Sequence, residues 1–284
     1  MLTATELKSL LRQHRLRLTK RLGQHHLIDA RIAQRLVDAC GLSRQDTVVE
    51  IGAGLGALTG WLAQGAGRVM AVEVDRGICA LLAERMTNRT NVTVICQDIR
   101  EFSWERAYGA LVVGTVPYHI TSPILVSLCE ERGQIPKAVL VVQREVAQRL
   151  IAKPGTKAYG RLSVLGQYGW EISVAFGVPR SAFFPQPAVD SCCVRLLSRV
   201  HPPVRVDDEQ RFFEVVKAAF SQRRKTLANC LSAQMSLRMS RATAEAILRD
   251  LGLPRAIRGE ALSLEQFAAL ANALSHSNPL RAKN

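Results

Sequence analysis

Between residues 29 and 152 the chain alternates short apolar runs with segments of helical spacing, and this alternation constrains its fold more than any other feature. The apolar runs predict strands, because continuous apolar sequence suits a strand buried on both faces. Such alternation predicts a mostly parallel, doubly wound α/β sheet. The predicted strands are 47–51, 68–74, 91–96, 110–114 and 137–143, and the predicted helices are 29–40, 57–64, 76–87, 122–131 and 144–152.

The C-terminal third has a different sequence pattern, in which strands and helices no longer alternate. Residues 170–178 and 191–197 predict antiparallel strands that pair at the edge of the sheet. Two prolines and mixed charges near residues 199–208 indicate a linker. The segments beyond it have helical spacing without strands between them, at 209–232, 240–252 and 263–275. We therefore expect one α/β domain over residues 1–200 and a small all-α domain over residues 201–284.

The positive charge of the chain is concentrated at its two ends. The formal net charge is +14, and residues 1–35 carry eight lysines and arginines against two acids. Residues 195–284 carry fifteen against eight, whereas the 159 residues between these regions carry fifteen against fourteen. A nearly neutral centre with basic flanks favours a catalytic core whose ends bind a polyanion. A generally basic surface on a soluble protein is the alternative.

The composition argues against several classes of protein. No apolar run approaches the ~20 residues of a membrane span, so no membrane partner is expected. The seven cysteines form no C-x-x-C pair, which is typical of core thiols in a reducing, cytoplasmic compartment. His25 and His26 lack a nearby cysteine or aspartate, so no metal is expected. Residues 5–21 predict a basic helix, and Glu6 argues against a transit peptide.

A glycine-rich turn, Glu50-Ile-Gly52-Ala-Gly54-Leu-Gly56, follows the first predicted strand of the sheet. Glycines here let the backbone approach a ligand, and the turn alone fits either a nicotinamide dinucleotide or S-adenosylmethionine. Three acids favour S-adenosylmethionine. Glu50 precedes the turn, Glu73 ends the second strand where it can accept from ribose hydroxyls, and Asp98 follows the third strand where it can accept from an adenine amino group. Each of the last two also fits a helix cap or a solvated loop.

A second constellation, Thr115-Val116-Pro117-Tyr118, follows the fourth strand. Enzymes that methylate the exocyclic amino group of a base usually carry Asn or Asp here, followed by an apolar residue or proline, a proline and an aromatic residue. The Thr115 side chain and the Val116 carbonyl are the expected acceptors for the amino hydrogens, and Pro117 fixes that carbonyl. Tyr118 and Phe183 are the expected stacking faces for an extruded base. Ordinary core packing is the alternative for Phe183.

Six ordered motifs resemble those of the ribosomal small-subunit RNA adenine dimethyltransferases, over about residues 5–275. They are LGQHHLID at 22–29, the turn at 50–59, GTVPY at 114–118, KAYGRLS at 157–163, FFPQPAVDS at 183–191 and FSQRRKT at 220–226. The resemblance implies a Rossmann-like class I methyltransferase fold, with residues 1–28 closing the cofactor site and the C-terminal helices binding RNA. It implies a monomer that dimethylates N6 of two adjacent adenines near the 3′ end of small-subunit rRNA, on immature small ribosomal subunits.

The resemblance also assigns site residues. The contacts to S-adenosylmethionine that it assigns are His25, Leu27, Gly52, Glu73, Asp98 and Thr115. We also expect contacts from their neighbours Gln24, Gly54, Val74 and Ile99. Two basic clusters are expected to contact RNA phosphates, and a solvated helix face is the alternative for each. They are Arg15, Arg17, Lys20 and Arg21 near the N-terminus, and Arg223, Arg224 and Lys225 in the helical domain.

The chain departs from the family pattern at His25, Thr115 and His119, where asparagine is usual. A threonine hydroxyl is shorter than an amide, and losing one hydrogen bond of ~1.5–3 kcal/mol would slow methyl transfer roughly 10–100-fold. The hypothesis is a slower enzyme, or one that releases monomethyl product. Two other functions stay open: a ribosome-assembly factor that methylates weakly or not at all, and a large-subunit rRNA adenine methylase of the antibiotic-resistance type.

Overall fold

The computed structural model describes residues 2–16, 18, 23–117, 120–237 and 239–276. Its contacts divide the chain into two compact units. The first comprises residues 1–147 and 171–198, and the second comprises residues 148–170 and 199–284. The division expected after residue 200 differs because residues 148–170 pack with the C-terminal helices. Within the second unit, for example, the Tyr168 hydroxyl donates to Glu209 Oε1 at 2.7 Å.

The first unit is built on a mixed sheet. The strands in the described part of the chain are β1 (His26–Leu27), β2 (Thr47–Ile51), β3 (Arg68–Glu73), β4 (Val92–Cys96), β5 (Leu111–Thr115), β6 (Lys137–Gln143), β7 (Trp170–Val178), β8 (Phe183–Phe184) and β9 (Ser191–Ser198). Seven of them form the sheet, in the order β4-β3-β2-β5-β6-β9-β7. The strands β2 to β6 run parallel to one another, and β9 pairs antiparallel with β6. The prediction of a mostly parallel, doubly wound sheet is therefore confirmed.

Helices cover the sheet and form the second unit. They are α1 (Ala4–Gln13), α2 (Ala30–Cys40), α3 (Thr59–Gly65), α4 (Arg76–Met86), α5 (Thr121–Glu130), α6 (Arg144–Leu150), α7 (Arg161–Gly169), α8 (Glu209–Ala219), α9 (Leu227–Ala233), α10 (Arg241–Asp250) and α11 (Leu264–His276). Asp29 caps α2 by accepting from the backbone N–H groups of Arg31 and Ile32, as its position before the helix predicts. Among the described residues, no helix is both long enough and apolar enough to cross a bilayer.

The first helix is shorter than its sequence pattern predicts. Thr3 and Glu6 form a capping box that starts α1, but the helix ends at Gln13 rather than continuing to residue 21. Arg15 adopts a left-handed φ of 53°, and the Leu16 N–H donates to the Leu11 carbonyl at 2.8 Å. A left-handed residue closes a helix in this way because it turns the chain away from the helix axis.

The segment 209–232 is likewise not one helix. It divides into α8 and α9, with residues 220–226 forming the turn between them. The Lys225 N–H donates to the Gln222 carbonyl at 3.0 Å in this turn. The basic residues expected to bind RNA therefore lie on a turn, although the apolar spacing on either side continues without interruption.

Two apolar clusters pack the helices of the first unit. On one face, Leu36 of α2 and Leu62 of α3 share a buried cluster with Val69, Val113 and other strand residues. On the other side of the unit, α1 and α4 pack through a cluster of Leu7, Leu11, Leu55, Ile78 and Leu81. Burial of this apolar surface is the main stabilising contribution to the fold.

The carboxyl ends of β2 and β5 lie side by side, because the chain places β3 and β4 on one side of β2 and then returns to add β5 on the other. Gly114 makes this contact close. A Cβ at Gly114 would lie 2.3 Å from the Ile51 carbonyl oxygen, so any side chain there would force the strands apart. Ligands of open α/β sheets bind at this reversal of strand order.

The second unit is a helical cluster with an aromatic core. The Tyr168 and Phe212 rings lie 4.6 Å apart between centroids, and Phe220 packs against Phe267 at 5.8 Å. The Tyr159 hydroxyl donates to the Leu262 carbonyl at 2.9 Å, and burial raises the pKa of that phenol to about 12. The Tyr168 and Tyr159 contacts tie residues 148–170 to α8 and to the segment that precedes α11.

Candidate active site

A cleft in the first unit opens at the carboxyl ends of β2, β3, β4 and β5. Twelve of the residues predicted to bind cofactor or target line it. They are Gln24, His25, Gly52, Gly54, Glu73, Val74, Asp98, Ile99, Thr115, Val116, Pro117 and Phe183. Leu27 lies instead in the apolar cluster beneath β1, with 4% of its surface exposed. The following residues named in the sequence analysis lie outside the described part of the chain: Arg17, Lys20, Arg21, Leu22, Tyr118 and His119.

Glu73 is the buried acid of the cleft. Its Oε2 accepts from the Gly54 N–H at 2.9 Å, and its Oε1 accepts from the N–H groups of Val74 and Asp75 at 3.0 and 3.1 Å. Burial raises the pKa of this carboxyl, while these three hydrogen bonds oppose the shift. Oε1 accepts two of these hydrogen bonds and Oε2 only one, so Oε2 can still accept from a ligand hydroxyl.

Gly54 is a position that a side chain cannot occupy. Its φ is 54°, and a Cβ there would lie 2.7 Å from His26 Nδ1. The imidazole of His26 is 8% exposed, and its Nε2 is buried without a hydrogen-bond partner in the described part of the chain. Burial, with a smaller contribution from the neighbouring His25, lowers the pKa of His26 to about 4. His26 is therefore a neutral packing group against the glycine-rich turn.

Glu50 lies beneath the same turn without lining the cleft. It is 2% exposed and accepts a hydrogen bond from the Thr59 hydroxyl at 2.6 Å. Burial raises the pKa of Glu50 to about 8, with the Thr59 hydrogen bond opposing. This acid ties the end of β2 to the start of α3 and so fixes the shape of the glycine-rich turn.

Asp98 serves both as a turn cap and as a wall of the cleft. Its Oδ1 accepts from the Arg100 N–H at 2.9 Å, and its Oδ2 lies 2.6 Å from Arg100 Nη2. The capping alternative from the sequence therefore holds for Asp98, and its position in the cleft lining adds an acceptor at the end of β4.

The loop after β5 is held at several backbone positions. The Val116 N–H donates to the Val141 carbonyl at 3.1 Å. The Pro117 carbonyl accepts from the Ile120 N–H at 3.1 Å and from the Thr121 hydroxyl at 3.0 Å. Thr115 is partly exposed at the cleft, while Val116 is buried. The strand end and the following turn thus hold a side-chain hydroxyl at a fixed place in the cleft.

The N-terminal segment is joined to the FFPQP segment by β1 and β8, which pair antiparallel with His26 opposite Phe184 and Leu27 opposite Phe183. His25 Nδ1 lies 2.6 Å from the Pro185 carbonyl oxygen. Because a carbonyl only accepts, that nitrogen carries the hydrogen. Phe183 is 4% exposed and faces both the apolar cluster and the cleft, so core packing and cleft lining coexist at this residue.

One residue of the basic cluster of the second unit already contacts other parts of that unit. Arg223 pairs with Glu260 at 3.1 Å and donates to the Lys157 carbonyl at 2.8 Å. Arg224 and Lys225 are exposed on the turn between α8 and α9. Arg223 therefore fixes the turn that presents the other two.

For several cleft residues, no pattern in the sequence predicts a place in the cleft. They include strand residues Ile51, Val72 and Val141, and loop residues Gln97 and Arg100. The strand residues look like ordinary core positions, and only their place at strand ends brings them to the cleft. Among the described residues, no group of histidine, cysteine and acidic side chains is placed to hold a metal ion.

The fold and the acid-lined cleft define a methyltransferase that uses S-adenosylmethionine. A family model described as ribosomal RNA adenine dimethylase matches residues 15–274, and the chain belongs to that family. It is 42% identical over 281 residues to the ribosomal RNA small subunit methyltransferases A of Bacillus mycoides (strain KBAB4) and Bacillus cereus (strain AH187), covering 96% of each chain. The chain is thus an rRNA adenine dimethyltransferase.

Two solved structures extend the comparison. A dimethyladenosine transferase from Plasmodium falciparum has the same fold, with a TM-score of 0.71 at 23% identity over 87% of this chain and 96% of that one. The 23S rRNA methyltransferase ErmE has a TM-score of 0.62 at 28% identity, over 88% of this chain and 99% of that one.

Proposed function

We propose that this chain transfers methyl groups from S-adenosylmethionine to N6 of two adjacent adenines near the 3′ end of small-subunit rRNA, acting on immature small ribosomal subunits. The proposed methyl transfer is supported by one observation. A single cleft contains Glu73 and Asp98 together with Thr115, Val116 and Phe183. The choice of the small subunit rests on the relatives with 42% identity.

The residues of the cleft fit the cofactor. Glu73 is a buried carboxylate at the end of β3 whose Oε2 has remaining acceptor capacity, which suits a ribose hydroxyl. Asp98, one strand further, offers an acceptor for an adenine amino group. Gly52 lets the ligand approach the backbone between them, and Gln24 from the N-terminal segment lines the same cleft. When bound, the cofactor supplies an electrophilic methyl group on a sulfonium.

The acceptor nitrogen needs orientation, because its lone pair is delocalised into the adenine ring. In the proposed complex the amino group donates to the Thr115 hydroxyl and to the Val116 carbonyl, which favours a pyramidal nitrogen whose lone pair points at the methyl carbon. The hydrogen bonds that hold Val116 and Pro117 keep these acceptors in place before the substrate arrives. Phe183 stacks on the base from within the cleft, and Tyr118 is proposed as the opposite face.

No general base is required. Transfer of the methyl leaves a positively charged amino nitrogen, which is acidic enough to lose its proton to water. The contribution of the protein is then mainly to bring the nitrogen and the methyl carbon together in line, a positional effect that can supply several kcal/mol.

The proposal is tested by incubating purified protein and S-adenosylmethionine with immature small subunits and with immature large subunits. We expect methylated adenosines by mass spectrometry, mapped by primer extension to two adjacent adenines near the 3′ end of the small-subunit rRNA. Methylation of the large-subunit rRNA alone would favour the second candidate, an enzyme of the ErmE type, which the structural similarity to that protein supports. Transfer to neither particle would refute both.

We further propose that the enzyme acts as a monomer in the cytoplasm. Six of its seven cysteines are buried, as expected for unoxidised core thiols. Sedimentation at the concentration used for the methylation assay tests the oligomeric state.

A further inference from the structure

A basic groove lies beside the cleft in the first unit. It is lined by Lys8, Arg12 and Arg15, by Phe184 and Pro185, and by leucines of α1 and of the segment that follows it. Phe184 follows Phe183 in β8, and successive side chains of a strand point to opposite faces. Phe183 lines the cleft while Phe184 lines the groove, so β8 is the partition between them.

No described carboxylate neutralises the positive charge of the groove by an ion pair. Lys8 and Arg12 are four residues apart on α1 and share one face of that helix, and Arg15 follows just beyond its end. All three are exposed, and none forms an ion pair with a carboxylate in the part of the chain that the structure describes. Glu6, the acid of α1, is bonded to Thr3 instead. The groove therefore attracts an anion.

The groove also offers a surface for a flat group. Lys8 Nζ lies 5.0 Å from the centroid of the half-buried Phe184 ring, so this ring face is already used for a cation–π contact. A lysine has a long flexible side chain, which lets its ammonium move to a phosphate and leave the ring face to a base. Cations beside an aromatic face are the combination that binds single-stranded nucleic acid.

The position of the groove fixes which part of a strand would reach it. β8 is tied to the cofactor side of the cleft by its pairing with β1 and by the His25–Pro185 hydrogen bond. A strand with one base in the cleft reaches the groove when it continues past β8. We propose that the basic groove binds the nucleotide next to the target adenine, with its phosphate against Lys8, Arg12 and Arg15 and its base against Phe184. This rests on the proposed function.

A pair of double variants tests the groove at equal loss of charge. Lys8→Gln/Arg12→Gln removes two groove cations. Arg44→Gln/Arg68→Gln removes two exposed cations at the amino ends of β2 and β3, on the opposite edge of the sheet. In methylation of immature small subunits, the groove variant should raise KM roughly tenfold with kcat within about twofold, and the control should match wild type. The dependence of log KM on log salt should become shallower by roughly 0.7 for each lost phosphate contact.

The base contact is tested in binding, without catalysis. The probe is a fluorescent single-stranded RNA of about twelve nucleotides with a central adenine, alone or with abasic sites on either side. Removing the flanking bases should weaken binding to wild type roughly tenfold and should leave binding to Phe184→Leu unchanged, because leucine keeps the apolar volume but cannot stack. An equal effect in both proteins would overturn the stacking contact.

The experiments can reject the groove assignment and the proposed function independently of each other. If wild type methylates small subunits but the groove variant behaves like its control, the groove assignment is wrong and the function stands. If wild type transfers no methyl, the RNA-binding series still decides the groove. Loss of binding to phosphatidylserine vesicles in the groove variant, with RNA binding unchanged, would assign the cations to a lipid surface and overturn the proposal.

Discussion

At the scale of single residues, Thr115 sets the hydrogen-bonding capacity of the acceptor side of the cleft. It presents a hydroxyl at the position where the family pattern usually has the amide of an asparagine. Because the shorter side chain makes a longer and weaker hydrogen bond to the amino group, Thr115→Asn should increase the rate of methyl transfer roughly 10–100-fold and raise the share of dimethyladenosine. Mass spectrometry of digested rRNA over a time course measures both quantities.

The matched control for this change is Thr115→Val, which keeps the shape and removes the hydroxyl. It should be slower than wild type, because no side-chain acceptor remains. If Thr115→Asn is no faster than wild type, the threonine does not limit the reaction and the impaired-enzyme hypothesis fails.

Glu73 lies on the proposed cofactor side of the cleft. Its two oxygens accept three backbone N–H groups, so Glu73→Gln would turn an amide N–H₂ toward one of these donors and remove the charge that we propose contacts the ribose. We expect the Kd for S-adenosylmethionine to rise roughly 10–100-fold in calorimetry, equivalent to losing ~1.5–3 kcal/mol. Glu84→Gln, an exposed change on α4, should bind like wild type. Equal affinity in both variants would remove Glu73 from the cofactor site.

At the scale of elements, the short pairing of β1 with β8 links the N-terminal segment to the segment that carries Phe183 and Phe184. Each strand has only two residues, so their own hydrogen bonds contribute little. Packing of His26 against the glycine-rich turn and the His25–Pro185 hydrogen bond add to the link. These contacts join the N-terminal segment, the glycine-rich turn and the segment that carries Phe183.

The buried imidazole in this link makes stability depend on pH. The pKa of His26 is lowered by burial from 6.5 to about 4, so the unfolded chain binds a proton more readily than the folded one. The stability contributed by neutral His26 is complete above pH 6.5 and is lost as pH falls toward 4. His26→Phe should abolish this loss, about 3 kcal/mol at the acid limit, and should also remove a buried nitrogen without a partner.

Urea unfolding at pH 5 and pH 7.5 measures the difference, with His201→Phe as an exposed-histidine control. We expect His26→Phe to gain stability over wild type at pH 5 much more than at pH 7.5, and the control to follow wild type. Parallel pH dependence of His26→Phe and wild type would mean that His26 is not buried as a neutral group.

At the scale of the whole molecule, the positive charge at the two ends of the chain is distributed over both units. Lys8, Arg12 and Arg15 lie in the first unit, and Arg224 and Lys225 are exposed in the second. We propose that both regions contact the phosphates of one large RNA particle. A particle with many contacts tolerates the loss of one contact, so the salt dependence of binding is a more direct measure than affinity at one salt concentration.

Reversing the charge on the turn between α8 and α9 tests the second unit. Arg224→Glu/Lys225→Glu should weaken binding to immature small subunits roughly tenfold or more at moderate salt and make the salt dependence shallower, while affinity for S-adenosylmethionine stays unchanged. Lys217→Glu/Arg249→Glu is an equal charge change at exposed helical positions of the same unit. If the two variants bind particles equally well, the turn has no special part in RNA binding.

The sequence by itself determined the class of fold, because apolar runs with helical segments between them can bury their faces in few ways other than a parallel sheet covered by helices. It also determined the order of the glycine-rich turn, Glu73, Asp98 and Thr115 at successive strand ends, since each position follows from local periodicity. The resemblance of six ordered motifs then predicted the family. These are all local properties of the chain or their regular repetition.

Only the tertiary structure decided which residues share a surface. The end of α1 at Gln13 depends on the left-handed backbone of Arg15. The division of 209–232 into two helices and the placement of 148–170 with the C-terminal helices depend on packing in the folded chain. The burial of His26 and the position of Phe184 in a groove beside Lys8 likewise arise where strands distant in sequence pair. Such contacts form only on folding, and no local pattern records them.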